Sequence, residues 1–259
     1  MPRLKNLVSA ILLAFGYSIN SKSKKQLLGD LVRLAGGQGL NALQARQAYK
    51  NSKSQLGQDL FALIASGAKS NGFFVEFGAA DGVALSNSYL LEKQFGWSGI
   101  LCEPSRSWHE DVKKNRSCTI EFRCVYSRTG EQISFSENYI GELSGITEFT
   151  GDDHHGLINR TTESYQVETI SLLDLLAQHN APKHVDFLSV DTEGSEFEIL
   201  NAFDFKKYSF GAICVEHNYL ANRPKVKALL ESNGYRQVYS GLSEYDDWFV
   251  PKTNQSVSA

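Results

Sequence analysis

At 259 residues the chain has room for one large α/β domain with an appended segment and is short for two full domains. Its 42% hydrophobic, 21% charged and 11% aromatic content is that of a globular protein with a substantial buried interior, and four cysteines without a CxxC pair exclude a disulfide scaffold. The net charge of -3 divides unevenly: residues 1–50 carry eight basic side chains against Asp30 alone, a net of +7, which leaves -10 for the remainder.

The basic arm opens with "LVSAILLAFGY" (Leu7–Tyr17), which has the look of a signal-peptide core but lacks a small-x-small cleavage site and is too short to span a bilayer. An uncleaved helix is expected there, docked on the core, on a partner or on a membrane surface. Residues 1–53 therefore form a helical N-terminal extension, and 54–259 the main domain. "SQLGQDLF" (54–61) precedes the first strand, where a helix can fold over a ligand; Gln55, Gln58 and Asp59 are its candidate contacts, unless Gln58 and Asp59 form an exposed helix face.

From Phe73 short β-rich runs alternate with helical stretches. The expected strands are "FFVEF" (73–77), "SGILC" (98–102), "TIEFRCV" (119–125), "HVDFLSV" (184–190) and "GAICVEH" (211–217), apolar enough to be buried on both faces of a parallel sheet. "LSNSYLLEKQF", "SRSWHEDVKKN", "SEFEILNAFDF" and "RPKVKALLESNG" read as crossover helices, the last with Pro224 early and Gly234 late. Residues 126–170 contain strand-like pieces around the polar stretch "TGDDHHGLINRTTE", too long for a plain connection, and are expected to form a lid or substrate insertion. The final "YRQVYSGLSEYDDWFVPK" reads as a hairpin that leaves an antiparallel strand at the sheet edge. The result is a doubly wound, mainly parallel sheet of seven strands.

In such sheets the ligand lies at the carboxyl ends of the strands, over the first βα loop. "VEFGAADG" occupies that place: Gly78 and Gly82 permit close backbone approach, Ala80 keeps the loop low, and Asp81 lies within it. Its GxxxG spacing is not the GxGxxG of dinucleotide folds. Glu76 would repel a pyrophosphate and attract a cationic ligand. Glu103, 21 residues after Gly82 and followed by Pro104, stands where an acidic side chain accepts from both ribose hydroxyls. Asn87, in the helix after the loop, and Tyr126, near the expected adenine position, complete the candidate cofactor contacts. These residues describe an S-adenosylmethionine site.

With "SQLGQDLF", "FFVEFGAADGVALSNSYLLEKQFGWSGILCEPS" (73–105), "VDFLSVDTEGSEFEIL" (185–200) and "VEHN" (215–218) in order, residues 54–250 resemble the FkbM family of methyltransferases. The resemblance implies a class I methyltransferase-like fold, S-adenosylmethionine as donor, and most often O-methylation of a hydroxyl on a sugar or natural product. Ala80 replaces the middle glycine of the commoner methyltransferase loop, and residues 1–53 lie outside the resemblance.

Methyl transfer to an alcohol needs the acceptor oxygen positioned and its proton removed. "VDTEGSE" places Asp191 at a strand end, Thr192 and Glu193 in the loop, Ser195 as the expected helix N-cap and Glu196 in the first turn. Glu216, His217 and Asn218 close the next strand, and His217 is the expected base, with Asp191 and Glu193 beside it. The competing use is a divalent site in which Asp191, Glu216 and His217, with Glu193, hold Mg²⁺ against two sugar hydroxyls. The Asp152, Asp153, His154 and His155 run also has metal-binding side chains but is expected to face solvent.

The expected function is thus an S-adenosylmethionine-dependent O-methyltransferase acting on a sugar or glycan acceptor of a polysaccharide or glycolipid. The alternatives are a small natural product as acceptor, a nicotinamide-dependent oxidoreductase, or a non-catalytic nucleoside- or polyanion-binding module on the same fold. A cytoplasmic location with peripheral membrane contact through the basic segment is expected, and no nucleic-acid partner. The acceptor's identity and the oligomeric state are not legible.

Overall fold

A computed structural model describes residues 21–34, 40–138, 144–149, 161–254 and 257. The Leu7–Tyr17 stretch and the Asp152–His155 run lie outside them. Among the described residues no helix is long and apolar enough to cross a membrane.

Three helices precede the first strand: α1 (Ser21–Leu34), α2 (Ala42–Asn51) and α3 (Gln58–Ala65). Leu27 and Leu31 of α1 and Ala45 and Ala48 of α2 are fully buried in one core cluster with α3. Gly57 begins α3 at φ 95°, and a Cβ there would stand 2.7 Å from Leu27 Cδ1, so glycine serves both the backbone and the close approach of α1. Gln58 and Asp59 are buried, not an exposed face. Asp59 accepts from the Ser52 and Ser54 hydroxyls and the Leu60 N–H, which ties the end of α2 to the start of α3.

The main sheet is built from β1 (Phe73–Phe77), β2 (Ser98–Cys102), β3 (Thr119–Glu121), β8 (His184–Val190), β9 (Ser209–Glu216), β10 (Tyr235–Val238) and β11 (Asp246–Pro251). Its order is β10-β11-β9-β8-β1-β2-β3, the expected doubly wound arrangement of seven strands. Alternate strand residues enter opposite cores: Phe74 faces α1–α3, whereas Val75 faces the helices α6 (Leu172–Gln178), α7 (Glu196–Asn201) and α8 (Arg223–Ser232). The shorter helices α4 (Tyr89–Phe95) and α5 (His109–Asn115), the latter entered through a 3₁₀ turn at Arg106–Trp108, lie on the Phe74 side.

Two expectations are corrected. The antiparallel strand is not at the edge: β11 pairs antiparallel with both β9 and β10, which leaves β10 outermost and parallel to the rest. Trp248, Phe249 and Val250 of β11 are wholly buried and need neighbours on both sides, while Arg236 and Gln237 suit β10 to an edge. The run 119–125 is also not one strand. Glu121 accepts the Arg123 N–H and pairs with its guanidinium, turning the chain so that β4 (Cys124–Tyr126) joins a second sheet. That sheet, ordered β4-β7-β5-β6, contains β5 (Gln132–Asn138), β6 (Gly145–Ile146) and β7 (Thr161–Ser171) around Cys124, Phe135, Ile146 and Val167.

Candidate active site

β1, β2 and β8 end on one side of the sheet, and their loops enclose a cavity that opens to solvent. Gly78 leaves β1 at φ 74°, and a Cβ there would come within 2.3 Å of the Asp191 carbonyl oxygen. Only glycine lets the β1 and β8 loops meet this closely. Ala80 is held at φ 47°, where its N–H donates to Glu103 Oε2 at 2.6 Å. The other Glu103 oxygen accepts the Ser105 N–H at 2.8 Å. Burial pushes the Glu103 carboxyl up to about 8, against the opposing pull of these two N–H donors.

Glu76 lines the cavity but is already engaged within the protein. Its oxygens accept the Asn87 N–H at 2.6 Å, the Ser86 hydroxyl at 3.1 Å and the Ser88 hydroxyl, and Arg116 Nη1 stands 3.8 Å away. The charge expected to call for a cationic ligand is thus compensated by a buried arginine. Arg116 also reaches Glu92 Oε2, the Gly82 carbonyl and the Ser86 and Ser88 hydroxyls, and a Cβ on Gly82 would meet its side chain at 2.7 Å. This network delays α4 to Tyr89, four residues after the expected start at Leu85. It also presents Asn87: Nδ2 donates to Ser189 Oγ at 2.9 Å, and the buried Oδ1, on a residue lining the cavity, has no partner.

The opposite wall comes from the loop after β8. Asp191, Thr192, Glu193 and Ser195 line it, with Glu193 at φ 56° and Gly194 at φ 118°. Ser195 occupies the N-cap position of α7 but makes no cap bond, donating instead to Thr192 Oγ1. Glu196 performs the capping, its Oε1 accepting from the Thr192 N–H and hydroxyl and the Gly194 N–H. Asp191 and Glu216 share a hydrogen bond, and burial pushes both carboxyls up, so that one proton serves the pair. Asp191, Glu193 and Glu216 offer oxygens all within 4.8 Å of one another, whereas His217 is not in this group.

His217 does not line the cavity. Its Nδ1 accepts the Tyr219 N–H at 3.0 Å, and its other nitrogen lies towards Asp247, behind the acidic cluster. Of the three residues expected to share in proton removal, Asp191 and Glu193 line the cavity and His217 does not. Gln58 is also elsewhere: it accepts the Leu56 N–H and donates to Asp246 Oδ2. Asp81 binds the Val83 and Ala84 N–H groups to shape the loop and does not reach the cavity, nor does Tyr126, whose ring lies 6.4 Å from that of Phe149. Gly78, Ala80, Asn87, Glu103, Pro104, Asp191 and Glu193 are brought together. Sequence reasoning missed Arg116, whose partners are distant in the chain, and Phe135 and Ile146, through which the second sheet supplies an apolar wall.

The Methyltransferase FkbM domain matches residues 76–237, more than half of the chain. The chain belongs to the FkbM methyltransferase family. This FkbM methyltransferase carries every cavity-lining residue inside the matched span, which begins at Glu76; α1–α3 and β11 lie outside it. Among solved structures it is similar to the methyltransferase FkbM of Methylobacillus flagellatus KT, at 11% identity over 95% of this chain and 58% of that one, with a TM-score of 0.45. Precorrin-6y C5,15-methyltransferase of Geobacter metallireducens GS-15 shares 13% identity over 74% and 85% of the two chains, with a TM-score of 0.39. A SAM dependent methyltransferase of Aquifex aeolicus shares 12% over 80% and 96%, with a TM-score of 0.36. Likenesses this distant add nothing to the assignment, which rests on the domain match. No curated protein matches the sequence.

Proposed function

We propose that this methyltransferase takes S-adenosylmethionine as donor and methylates a hydroxyl of a sugar in a polysaccharide or glycolipid. One observation carries the reading: a single cavity has the strand-end carboxylate Glu103 on one wall and the carboxylates Asp191 and Glu193 on the other. The residues fit the donor. Each Glu103 oxygen retains acceptor capacity beyond the backbone N–H it already binds, enough for a ribose diol, and the unpartnered Asn87 Oδ1 awaits a donor such as an ammonium. When bound, the donor supplies an electrophilic methyl group.

The chain's own residues do the rest. Phe135 and Ile146 exclude water, Glu193 orients the acceptor hydroxyls, and Asp191 removes the proton of the attacking one. Asp191 suits that role because burial raises its carboxyl above the ordinary range and the bond to Glu216 orients it. A divalent cation on Asp191, Glu193 and Glu216 is the other route to an activated hydroxyl, since an all-oxygen set suits Mg²⁺. Methylation that persists in EDTA assigns activation to Asp191, and loss restored by Mg²⁺ assigns it to the metal. A peripheral contact of the basic N-terminal segment with an anionic membrane accords with a lipid-linked acceptor.

The donor is tested by titrating S-adenosylhomocysteine calorimetrically into the full chain. Saturable binding is expected, weakened at least tenfold in Glu103→Ala. No binding by the unaltered protein, or full binding by the variant, defeats the proposal.

A further inference from the structure

Leu85 is in the wall of the cavity and holds φ 59°, a left-handed backbone that costs a leucine conformational energy and persists only where its surroundings impose it. The residues on either side of it are held from within. Before it, Asp81 Oδ1 accepts the Val83 and Ala84 N–H groups at 2.7 Å each; after it, Glu76 accepts the Ser86 hydroxyl and the Asn87 N–H from the sheet side. Leu85 itself is bridged from outside, by an isolated parallel backbone pairing with Ser54. Ser54 stands well before the span matched by the family domain, which begins at Glu76.

A single carboxylate places Ser54. Asp59 is fully buried in the first turn of α3. Its Oδ1 accepts the Ser52 hydroxyl at 2.8 Å, the Ser54 hydroxyl at 2.6 Å and the Leu60 N–H at 2.8 Å, and its Oδ2 accepts the Lys53 N–H at 3.2 Å. Ser52, Lys53 and Ser54 are thereby wrapped around it. Burial pushes the Asp59 carboxyl up, against the opposing pull of Lys24 and of these serines. A buried charge is a costly way to join two helices, since apolar side chains of similar volume often do so at least as well. What the carboxylate adds is a fixed path for the backbone of Ser52–Ser54, and through the bridge that path reaches the cavity. Two residues beyond Leu85, Asn87 donates from Nδ2 to Ser189 Oγ and leaves its Oδ1 buried and unpartnered on a residue of the cavity wall. Leu85 turning out of the left-handed region would redirect the chain that delivers this side chain.

We propose that Asp59 and Ser54 are positioning residues for the methyl donor: through the bridge to Leu85 they fix the loop that presents Asn87 Oδ1, although neither lines the cavity. The inference rests on S-adenosylmethionine as donor. It is tested on the full chain by calorimetric titration of S-adenosylhomocysteine, by the NMR signals of the Asn87 side-chain amide and by amide exchange across residues 85–87. Asp59→Asn sets an amide donor against the Lys53 N–H and loosens the wrap; Ser54→Ala removes one of its bonds and serves where Asp59→Asn does not fold. In either variant affinity should fall roughly fivefold, the scale set by the conformational cost of a left-handed leucine, the Asn87 signals should shift and exchange should quicken. Glycine adopts this backbone unaided, so in a Leu85→Gly background the same substitutions should weaken binding less than about twofold. A lower melting temperature with unchanged affinity and unchanged Asn87 signals would reduce Asp59 to a joint between helices, and losses that multiply in the double variant would mean that it acts by another route; either result overturns the proposal. If the unaltered protein does not bind S-adenosylhomocysteine, the donor assignment fails instead, while the Asn87 signals and the exchange across 85–87 still report whether Asp59 sets the loop.

Discussion

Glu103 accepts two backbone N–H bonds, yet burial lifts its carboxyl to about 8, so the unliganded protein holds it largely protonated at neutral pH. Ribose hydroxyls donating to it favour the ionised form, and binding must then expel a proton below pH 8. Affinity for S-adenosylhomocysteine should rise by up to roughly tenfold per unit between pH 6.5 and 8 and level off above. Glu103→Gln should flatten this rise; a wild-type profile as flat as the variant's would remove Glu103 from the ligand. Arg116 presents the opposite case, a fully buried guanidinium whose partners Glu92 and Glu76 are also buried. Arg116→Met leaves buried Glu76 without its cation and Glu92 with Lys93 alone, and should cost about 3 kcal/mol in urea unfolding. Arg116→Lys should recover only part of this, since an ammonium cannot reach Glu92, the Gly82 carbonyl and both serines in one plane.

At the scale of elements, the second sheet is clamped to the turn that follows Glu103. Glu137 of β5 accepts from the Ser105 hydroxyl at 2.6 Å and the Ser107 N–H at 3.0 Å, while the Tyr165 hydroxyl of β7 accepts the Arg106 N–H and its ring lies under the Arg106 guanidinium. Losing these bonds at roughly 1 kcal/mol each should loosen one wall of the cavity. Glu137→Ala combined with Tyr165→Phe is expected to weaken S-adenosylhomocysteine binding about tenfold and to speed amide exchange in 132–138 and 161–171. Exchange in β1 and β8 should stay slow; equal acceleration there would mean that the sheets are one cooperative unit. None of this clamp was legible in the sequence, because its partners lie some thirty to sixty residues apart and are ordinary polar side chains. Strands β1, β2 and β8 were legible to the residue, since their apolar runs are bounded by turn-forming residues. The end of β9 was placed one residue too far, which put His217 on the wrong side of the acidic cluster. The glycine loop was visible, but not that Glu76 serves Arg116 and the serines: the spacing of a carboxylate shows that it is needed and not which way it faces.

Across the whole molecule, buried carboxylates set the pH dependence of stability. Glu103 is raised to about 8 and Asp246 to about 6, in both by burial, and Asp59 and Glu196 are raised for the same reason. Their unfolded values lie near 4. A folded value above the unfolded one stabilises the protein fully below pH ~4, and that contribution is lost as pH rises through 6 to 8. Glu92 and Glu121 oppose this on the acid side. Burial raises them, but Lys93, Arg116 and Ser117 around the first, and Arg123 and His179 around the second, more than offset it and hold both at about 2. Their contribution is present above pH ~4 and lost as pH falls towards 2. The stability maximum should therefore lie on the acid side of neutrality, between pH ~4 and 6, and urea unfolding should show a loss of several kcal/mol from there to pH 8.5, at roughly 1.4 kcal/mol per pH unit for each group titrating. Glu103→Gln should flatten part of the alkaline limb, and S-adenosylhomocysteine should stabilise the protein more at pH 8.5 than at 6, because it supplies donors to a carboxylate that burial otherwise penalises. Stability that climbs steadily from pH 5 to 8.5 would show that these carboxylates are solvated or paired in solution, and the dry, acidic cavity on which the proposed chemistry depends would have to be abandoned.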